Sequence, residues 1–377
     1  MHLTLHLTTA CNMRCSYCYA PPHDGAPMSE EVGRKAMALA SRLANGSSCG
    51  IVFFGGEPLL QRGLIQSLVA HARELERRQA GRFHFKMTTN GVLLDEEFLE
   101  FSVRNDVLTA MSFDGTREAH DAHRRFPNGG PTFDQLVGKL RMLLAVRPYS
   151  SVLMVVNPDT AKYLAESVSF LLDLGCRYLI VSLNYAADWT EDDFRVLTKQ
   201  YKRLGKLYIK WTREQRKFYL SPLEVKLSSH INRHCYRKER CELAERQLSV
   251  DPAGYLYPCV QFPKAGPDSS WCVGHVDRGI DEAARRRIHD SSQAEKAFCA
   301  SCAIKERCNN TCGCLNWQTT GTINEVSPVL CRYEQMLVPI ADRVGKVLYR
   351  KRDPLFLHKH YNAAYPVLSL LEDTLKK

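Results

Sequence analysis

The chain has 377 residues, of which 45% are hydrophobic and 24% charged, an ordinary composition and enough chain for two domains. No apolar run reaches membrane-spanning length, and a strand pattern starts within the first few residues, leaving no room for a signal peptide, so a cytoplasmic protein without a membrane partner is expected. The formal net charge is +10 and there are fifteen cysteines. An odd number of thiols in a chain with no export signal points to metal binding rather than disulfides.

Leu3-Thr4-Leu5-His6-Leu7 alternates apolar and polar residues as a strand does. Cys11, Cys15 and Cys18 follow at C-x3-C-x2-C spacing, on a loop leaving the C-terminal end of that strand, where α/β barrels usually place their chemistry. Three thiolates suit a [4Fe–4S] cluster whose fourth iron stays open, the mark of a metal site that reacts. A structural zinc site with His23 or His6 as fourth ligand is the alternative. Ser29 caps the next helix, with Glu30 and Glu31 in its first turn, Val32, Ala36, Leu39 and Leu43 at helical spacing, and Asn45-Gly46 as its stop. Ile51 to Phe54 reads as a short buried strand and runs into Gly55-Gly56-Glu57-Pro58. Two glycines allow close backbone approach to a ligand or a positive φ, and Glu57 sets a carboxylate at the strand end.

A helix marked by Ile65, Leu68, Val69, Ala72 and Leu75 precedes a strand at Phe83–Met87, which leads into Thr89-Asn90-Gly91. The next strand, Thr109–Phe113, leads into Asp114-Gly115, and Thr132 with Gln135 reads as a capping box for a helix through Leu144. A strand at Val152–Val156, a helix over about 160–174, a strand at Tyr178–Leu183 and a long helix started by Thr190 and Asp193 complete the series. Six strands alternating with helices predict an α/β fold with a parallel sheet; periodicity leaves open whether that sheet closes.

From Cys235 onward the spacing changes to Cys235-x5-Cys241, then Gly254 and Cys259, then Cys299-x2-Cys302-x5-Cys308-x3-Cys312, and finally Cys331. A zinc ribbon asks for paired C-x2-C knuckles, and only one occurs here; eight thiols suffice for two four-cysteine clusters with no open iron. Between Lys199 and Arg240 there are thirteen Lys or Arg against Glu214, Glu224 and Glu239, which reads either as a solvated helix face or as a patch for an acidic peptide or redox partner. Nucleic acid is not expected, since no aromatic-interleaved basic motif is present. Met336, Leu337, Ile340, Val344, Val347 and Leu348 predict a helix in the tail, and the stretch beyond Pro354 carries no readable motif.

The C-x3-C-x2-C loop followed one strand–helix unit later by Gly-Gly-Glu resembles the radical S-adenosylmethionine (SAM) enzymes, and the later cysteines resemble their SPASM extension. The resemblance implies an α/β fold: a partial (β/α)6 TIM-like barrel over 1–225, open on one side, a cysteine-rich SPASM domain over 226–335 and a helical tail over 336–377. It further implies that the open iron binds SAM through its amino and carboxylate groups, that Gly55, Gly56 and Glu57 contact the same amino group, and that Tyr17 lies near the adenine. Ser112-Phe113-Asp114-Gly115 and His120-Asp121 with Arg124 resemble segments of SAM-dependent peptide maturases, in which the serine contacts SAM while the acid and arginine organise the pocket. Two auxiliary [4Fe–4S] clusters are implied, one on Cys235, Cys241, Cys259 and Cys312 and one on Cys299, Cys302, Cys308 and Cys331, making three in all. Of the remaining thiols, Cys49 and Cys176 read as small buried residues, Cys272 has no assigned role, and Cys314 is expected near the second auxiliary cluster as a spare ligand.

The function this implies is peptide maturation: reductive cleavage of SAM to a 5′-deoxyadenosyl radical, hydrogen abstraction from a peptide, then a thioether or carbon–carbon crosslink or an oxidation assisted by the auxiliary clusters. The partners implied are a precursor peptide or protein and a one-electron donor such as flavodoxin or ferredoxin; no leader-binding domain is expected before the first strand, which leaves the C-terminal region, the basic stretch, a separate leader-binding protein or nothing to bind a leader. An anaerobic sulfatase maturase, forming formylglycine, is the alternative. Those enzymes carry an acid directly after the third auxiliary cysteine, where this chain has Val260, so the catalytic acid/base residue is left unassigned. A non-catalytic zinc or iron–sulfur electron-transfer protein is the reading from another class.

Overall fold

The computed structural model describes residues 2–20, 25–78, 81–231 and 241–375. Its first half alternates strands and helices: β1 (His2–His6), α1 (Glu30–Ala44), β2 (Cys49–Phe54), α2 (Arg62–Arg78), β3 (Phe83–Thr89), α3 (Glu96–Arg104), β4 (Val107–Ser112), α4 (Arg117–His123), α5 (Phe133–Val146), β5 (Ser151–Val156), α6 (Leu164–Asp173), β6 (Tyr178–Leu183) and α7 (Glu191–Arg213). The second half holds β7 (Tyr219–Leu220), α8 (Ser221–Ile231), β8 (Gln247–Val250), β9 (Tyr255–Tyr257), β10 (Gly274–His275), β11 (Gly279–Ile280), α9 (Glu282–Gln293), α10 (Gly313–Thr320), α11 (Pro328–Arg350), α12 (Pro354–Tyr361) and α13 (Tyr365–Leu375).

β1 to β7 pair in sequence order and in parallel. The parallel α/β fold expected from the alternation is therefore present, and among the described residues β1 and β7 do not pair, so the barrel stays open. β1 is flanked on its other side by β8, also parallel, with Leu3 opposite Leu248 and Leu5 opposite Val250. The cysteine-rich part thus extends the barrel's own sheet, through β8 and then the antiparallel β9 to β11. These strands of two to four residues are too short to show a period in sequence. Helices α8 and α11 span residues 225/226 and 335/336, the positions expected to divide the parts.

The core lies between the sheet and its helices; Leu3, Leu5, Ile51, Phe53, Met111, Val152 and Leu179 are fully buried. Cys49 and Cys176 are buried in the same core, as small hydrophobes. Two helix starts are built as expected: Ser29 Oγ accepts the Val32 N–H, and Thr190 with Asp193 forms a capping box for α7. The start of α5 differs. Thr132 makes no side-chain cap; Asp121 Oδ1, reaching over from α4, accepts the N–H groups of Thr132 and Phe133 at 2.9 Å each. Thr132 is thereby released to donate from Oγ1 to Arg124 O at 2.7 Å. Helix α3 carried a readable start in Asp95, whose carboxylate accepts the Phe98 N–H at 2.9 Å. The tail beyond Pro354 forms α12 and α13. Lys359 of α12 pairs with the buried Glu224 of α8, which also accepts from Tyr208 at 2.6 Å.

Candidate active site

The cysteine loop leaves the C-terminal end of β1 and is fastened from two sides. On one side is the turn after β2, where Gly56 N–H donates to Thr8 O and Glu57 N–H to Ala10 O, each at 2.9 Å. A Cβ on Gly55 would stand 2.3 Å from Thr8 O and one on Gly56 2.2 Å from Ala10 O, and Gly55 sits at φ +136°. The glycines are required because this turn lies directly on the backbone of residues 8–10. Glu57 is fully buried. Its Oε1 accepts from Leu59 N–H at 3.0 Å and the Thr89 hydroxyl at 2.8 Å, and its Oε2 accepts from Asn90 N–H at 2.7 Å. Burial pushes the Glu57 carboxyl up from its ordinary value against these donors, and Oε2 keeps one lone-pair direction for a further donor. Glu57 thereby joins the ends of β2 and β3.

Asn90 extends that junction to the thiols. Its Nδ2 donates to Asn12 Oδ1 at 2.7 Å and lies 3.6 Å from Cys11 Sγ. Asn-Gly is a common turn pair in any sequence; the use of Asn90 as a brace for the cysteine loop depends on Glu57, 33 positions away in the chain.

On the other side, Arg14 N–H donates to Arg125 O at 2.8 Å and Ser16 N–H to His123 O at 3.1 Å. Tyr17 OH donates to Asp114 Oδ2 at 2.6 Å and accepts from Arg124 Nη1 at 2.8 Å. Asp114 Oδ1 accepts the Val155 N–H at 3.0 Å, which fixes the carboxylate between β4 and β5. Asp114 N–H donates to His120 Nδ1 at 3.2 Å, so the imidazole proton is on Nε2, 3.1 Å from Thr132 Oγ1. Burial holds His120 well below its ordinary value, in keeping with this neutral tautomer. Burial also raises Asp114. Burial opposes the Arg124 charge and is outweighed by Tyr17, Cys15 and Asp114. Three residues far apart in sequence, Tyr17, Asp114 and Arg124, thus form one network against the thiol loop. Ser112, the last residue of β4, is half-buried, and its hydroxyl has no hydrogen-bond partner among the described residues. His123 was not singled out from sequence; its Nδ1 lies 2.6 Å from Ser16 Oγ and its Nε2 2.9 Å from Asp159 Oδ1.

The three thiols differ in setting. Burial pushes Cys15 up to about 11, with the Arg124 guanidinium opposing, and raises Cys11, whereas Cys18 is exposed. Arg124 Nε is buried without a partner among the described residues. Three thiols on one loop, an amide N–H at Cys11 and a cation with a free N–H at Cys15 fit a negatively charged cluster and an anionic ligand beside it. Of the alternative zinc ligands, His23 lies outside the described residues. His6 is buried, its Nε2 unpartnered among the described residues, and burial lowers it to about 4. It lines a small cavity with Tyr19, Gly56, Val260 and Gln261.

The later thiols gather in two places. Cys312 Sγ is 3.6 Å from Cys314 Sγ. Cys312 is held well below its ordinary value by thiol hydrogen bonds from Cys241 and then Cys314, and Cys259 is lowered by Cys314. Cys314 therefore stands with Cys241, Cys259 and Cys312, not with the second group as its position in the chain led one to expect. Cys235, the remaining member implied for the first group, lies outside the described residues. In the second group, burial pushes Cys308 up to about 12, with Cys299 and Cys331 among the charges around it, and Cys331 feels Cys302 and Cys299. Among the described residues no group of three His, Cys, Asp or Glu converges on a single-ion site. Burial raises Tyr19 above its ordinary value, and the Cys259, Cys18 and Cys314 thiols add to the shift.

Residues 5–171 match the profile of the Radical SAM superfamily. These residues are a radical SAM domain. Families with such domains bind SAM and a [4Fe–4S] cluster, and the open parallel barrel is their fold. The chain is homologous beyond that domain to the serine-type anaerobic sulfatase-maturating enzyme of Bacteroides thetaiotaomicron, at 24% identity over 93% of this chain and 92% of that one. Among solved structures, native anSMEcpe with bound AdoMet superposes with a TM-score of 0.79 at 20% identity, covering 93% of this chain and 99% of that chain. Streptococcus suis SuiB bound to precursor peptide SuiA superposes at 0.59 and 15% identity, covering 87% and 75%. No helix among the described residues is long and apolar enough to cross a membrane.

Proposed function

We propose that this radical SAM enzyme modifies a peptide or protein side chain, with Cys11, Cys15 and Cys18 holding the SAM-binding cluster and two further clusters held by Cys241, Cys259 and Cys312 with Cys235, and by Cys299, Cys302, Cys308 and Cys331. The Tyr17–Asp114–Arg124 network, hydrogen-bonded within the thiol loop itself, carries the reading. It places a fixed cation with an unused N–H beside Cys15, where an anionic methionine carboxylate has use for one. When bound, cluster and SAM supply reductive cleavage of the sulfonium and removal of a hydrogen atom from an unactivated substrate carbon.

The chain's own residues prepare the site. The two glycines and Glu57 fix the loop backbone, Asn90 supports Cys11, and Asp114 holds Tyr17 in place through its hydroxyl. Ser112 offers a hydroxyl with no hydrogen-bond partner among the described residues. The barrel interior excludes water from the reacting centre.

Within this class a ribosomally made precursor peptide is the preferred substrate, because Val260 stands where sulfatase maturases carry an acid. The second reading, formylglycine formation, is favoured by the near-complete coverage of the sulfatase-maturase relative and structure, and by His6. That imidazole, neutral and with its Nε2 unpartnered among the described residues, shares a cavity with Val260 and offers a proton acceptor there.

Anaerobic reconstitution should give about twelve irons per chain and 5′-deoxyadenosine on reduction in the presence of SAM. Two or three zinc ions and no SAM cleavage would refute an enzyme. Loss of two hydrogens from the serine of a sulfatase-motif peptide would transfer the assignment to formylglycine formation; no change in that peptide, with modification of a short peptide encoded beside the gene, supports the first reading.

A further inference from the structure

Helices α7 and α11 lie side by side, and their outer faces form an open groove of about 1080 Å³. Its floor is apolar, with Phe194, Met336 and Ile340, and one wall carries Lys199, Lys202, Arg203 and Lys206. These four recur at i, i+3, i+4 and i+7, so they share one helix face and span about 10 Å of it. All four are exposed, and none has an ion-pair partner among the described residues. Their neighbours in the groove are different: Arg195 pairs with Asp192, and Arg332 with Glu191. Like charges at these spacings cost helix stability, so the fold gains nothing from the row. It is suited instead to an acidic partner.

The groove also touches a thiol. Gln335 lines it and donates from Nε2 to Cys331 Sγ at 3.5 Å. Behind Cys331 the second thiol group leads inward. Tyr185, half-buried, packs edge-on to Tyr333 with 6.2 Å between ring centres. A substrate has to reach the loop of Cys11, Cys15 and Cys18, whereas the groove meets Cys331 through Gln335, at the position an electron carrier needs.

We propose that the α7/α11 groove docks an acidic single-electron carrier protein of the ferredoxin class, delivering its electron through the cluster that includes Cys331. The step balances without proton or bond change: the carrier loses one electron and the cluster gains one. It rests on the assignment of a cluster to Cys299, Cys302, Cys308 and Cys331.

The experiment compares reconstituted wild type with K199E/K202E/R203E/K206E, both checked for fold by circular dichroism. The probe is an acidic plant-type ferredoxin. Docking predicts that ferredoxin affinity falls about tenfold or more in the variant, and falls with added salt in the wild type. Cluster reduction by reduced ferredoxin should slow by a similar factor, while reduction by dithionite is unchanged. Equal affinity and equal rates in both proteins would overturn the proposal. So would a glutamate-rich peptide that binds the wild-type groove more tightly than ferredoxin does, which would make the surface a peptide site. Full wild-type iron content in Cys331→Ala would overturn the electron step, because Cys331 would then hold no cluster, and the binding constants would still decide the docking surface separately.

Discussion

The contact between the two glycines and the cysteine loop sets a demanding test. In Gly56→Ala the new methyl would lie 2.2 Å from Ala10 O and 2.4 Å from Thr9 O. Carbon–oxygen contacts settle at roughly 3.3 Å, so the two segments must part by about 1 Å. Both atoms in the way are backbone, and no rotamer change relieves them. Separation would break the bonds from Gly56 N–H to Thr8 O and from Glu57 N–H to Ala10 O, worth about 1 kcal/mol each, and overpacking adds about 1–3 kcal/mol. The stiffer unfolded chain offsets about 0.4–1 kcal/mol. The expected loss is about 2–4 kcal/mol, read as a lower denaturation midpoint, together with poor iron incorporation at Cys11, Cys15 and Cys18. Gly63→Ala is the control, since Gly63 has nothing within 4 Å of its added Cβ and lies in α2, where alanine is favoured by about 0.5–1 kcal/mol. If Gly56→Ala unfolds at the wild-type midpoint and reconstitutes fully, the glycines do not hold the loop and the account of this turn is wrong.

Three further outcomes follow from other contacts. Arg124→Met should keep its iron yet bind SAM about ten- to a hundredfold more weakly, because Tyr17 and Asp114 lose their cation; equilibrium dialysis with reconstituted protein measures this, and wild-type affinity would exclude Arg124 from the cofactor site. Lys226→Met strands the buried Glu334, its partner at 2.6 Å, and should cost about 3–5 kcal/mol, whereas Lys226→Met with Glu334→Leu should recover most of that loss; equal losses in the single and double variants would show that the pair is not coupled. His6 is lowered from 6.5 to about 4 by burial. As pH falls through 6.5 the unfolded chain takes up a proton that the folded chain refuses until about 4, so His6 removes about 2 kcal/mol of stability between pH 7.5 and 5. His6→Phe should lack that loss, and a wild-type-minus-variant stability difference that stays flat over this range would mean that the imidazole is not buried neutral.

The sequence was most legible where a feature is made by neighbours in the chain. The six parallel strands, the caps of α1 and α7 and the thiol spacings are all local, and each depends on residues a few positions apart. What stayed hidden was made by residues brought together from a distance. The Thr132–Gln135 pattern satisfied a local rule, yet Asp121 is already at the start of α5, held there by α4, and takes the N–H groups a capping box would have used. Thr132 then does something no local pattern contains: it holds the Arg124 carbonyl while His120 connects it to Asp114.

Cys314 shows the same limit in the chemistry. Its closeness in sequence to Cys308 and Cys312 said nothing about which group it would join, because successive residues at a helix start point in different directions. Its partner Cys259 arrives from the turn after β9, on a sheet extension whose short strands have no sequence period. The pairing of β8 with β1 is what carries that turn to the rim of the barrel. A cysteine pattern can therefore announce how many thiols are available, but the sheet decides which of them meet, and here it brings Cys259 to Cys314. The two halves of the chain are then coupled at the site itself: a change that displaced β8 from β1 would separate the first auxiliary thiols from the SAM-binding loop while leaving every cysteine in its group by sequence.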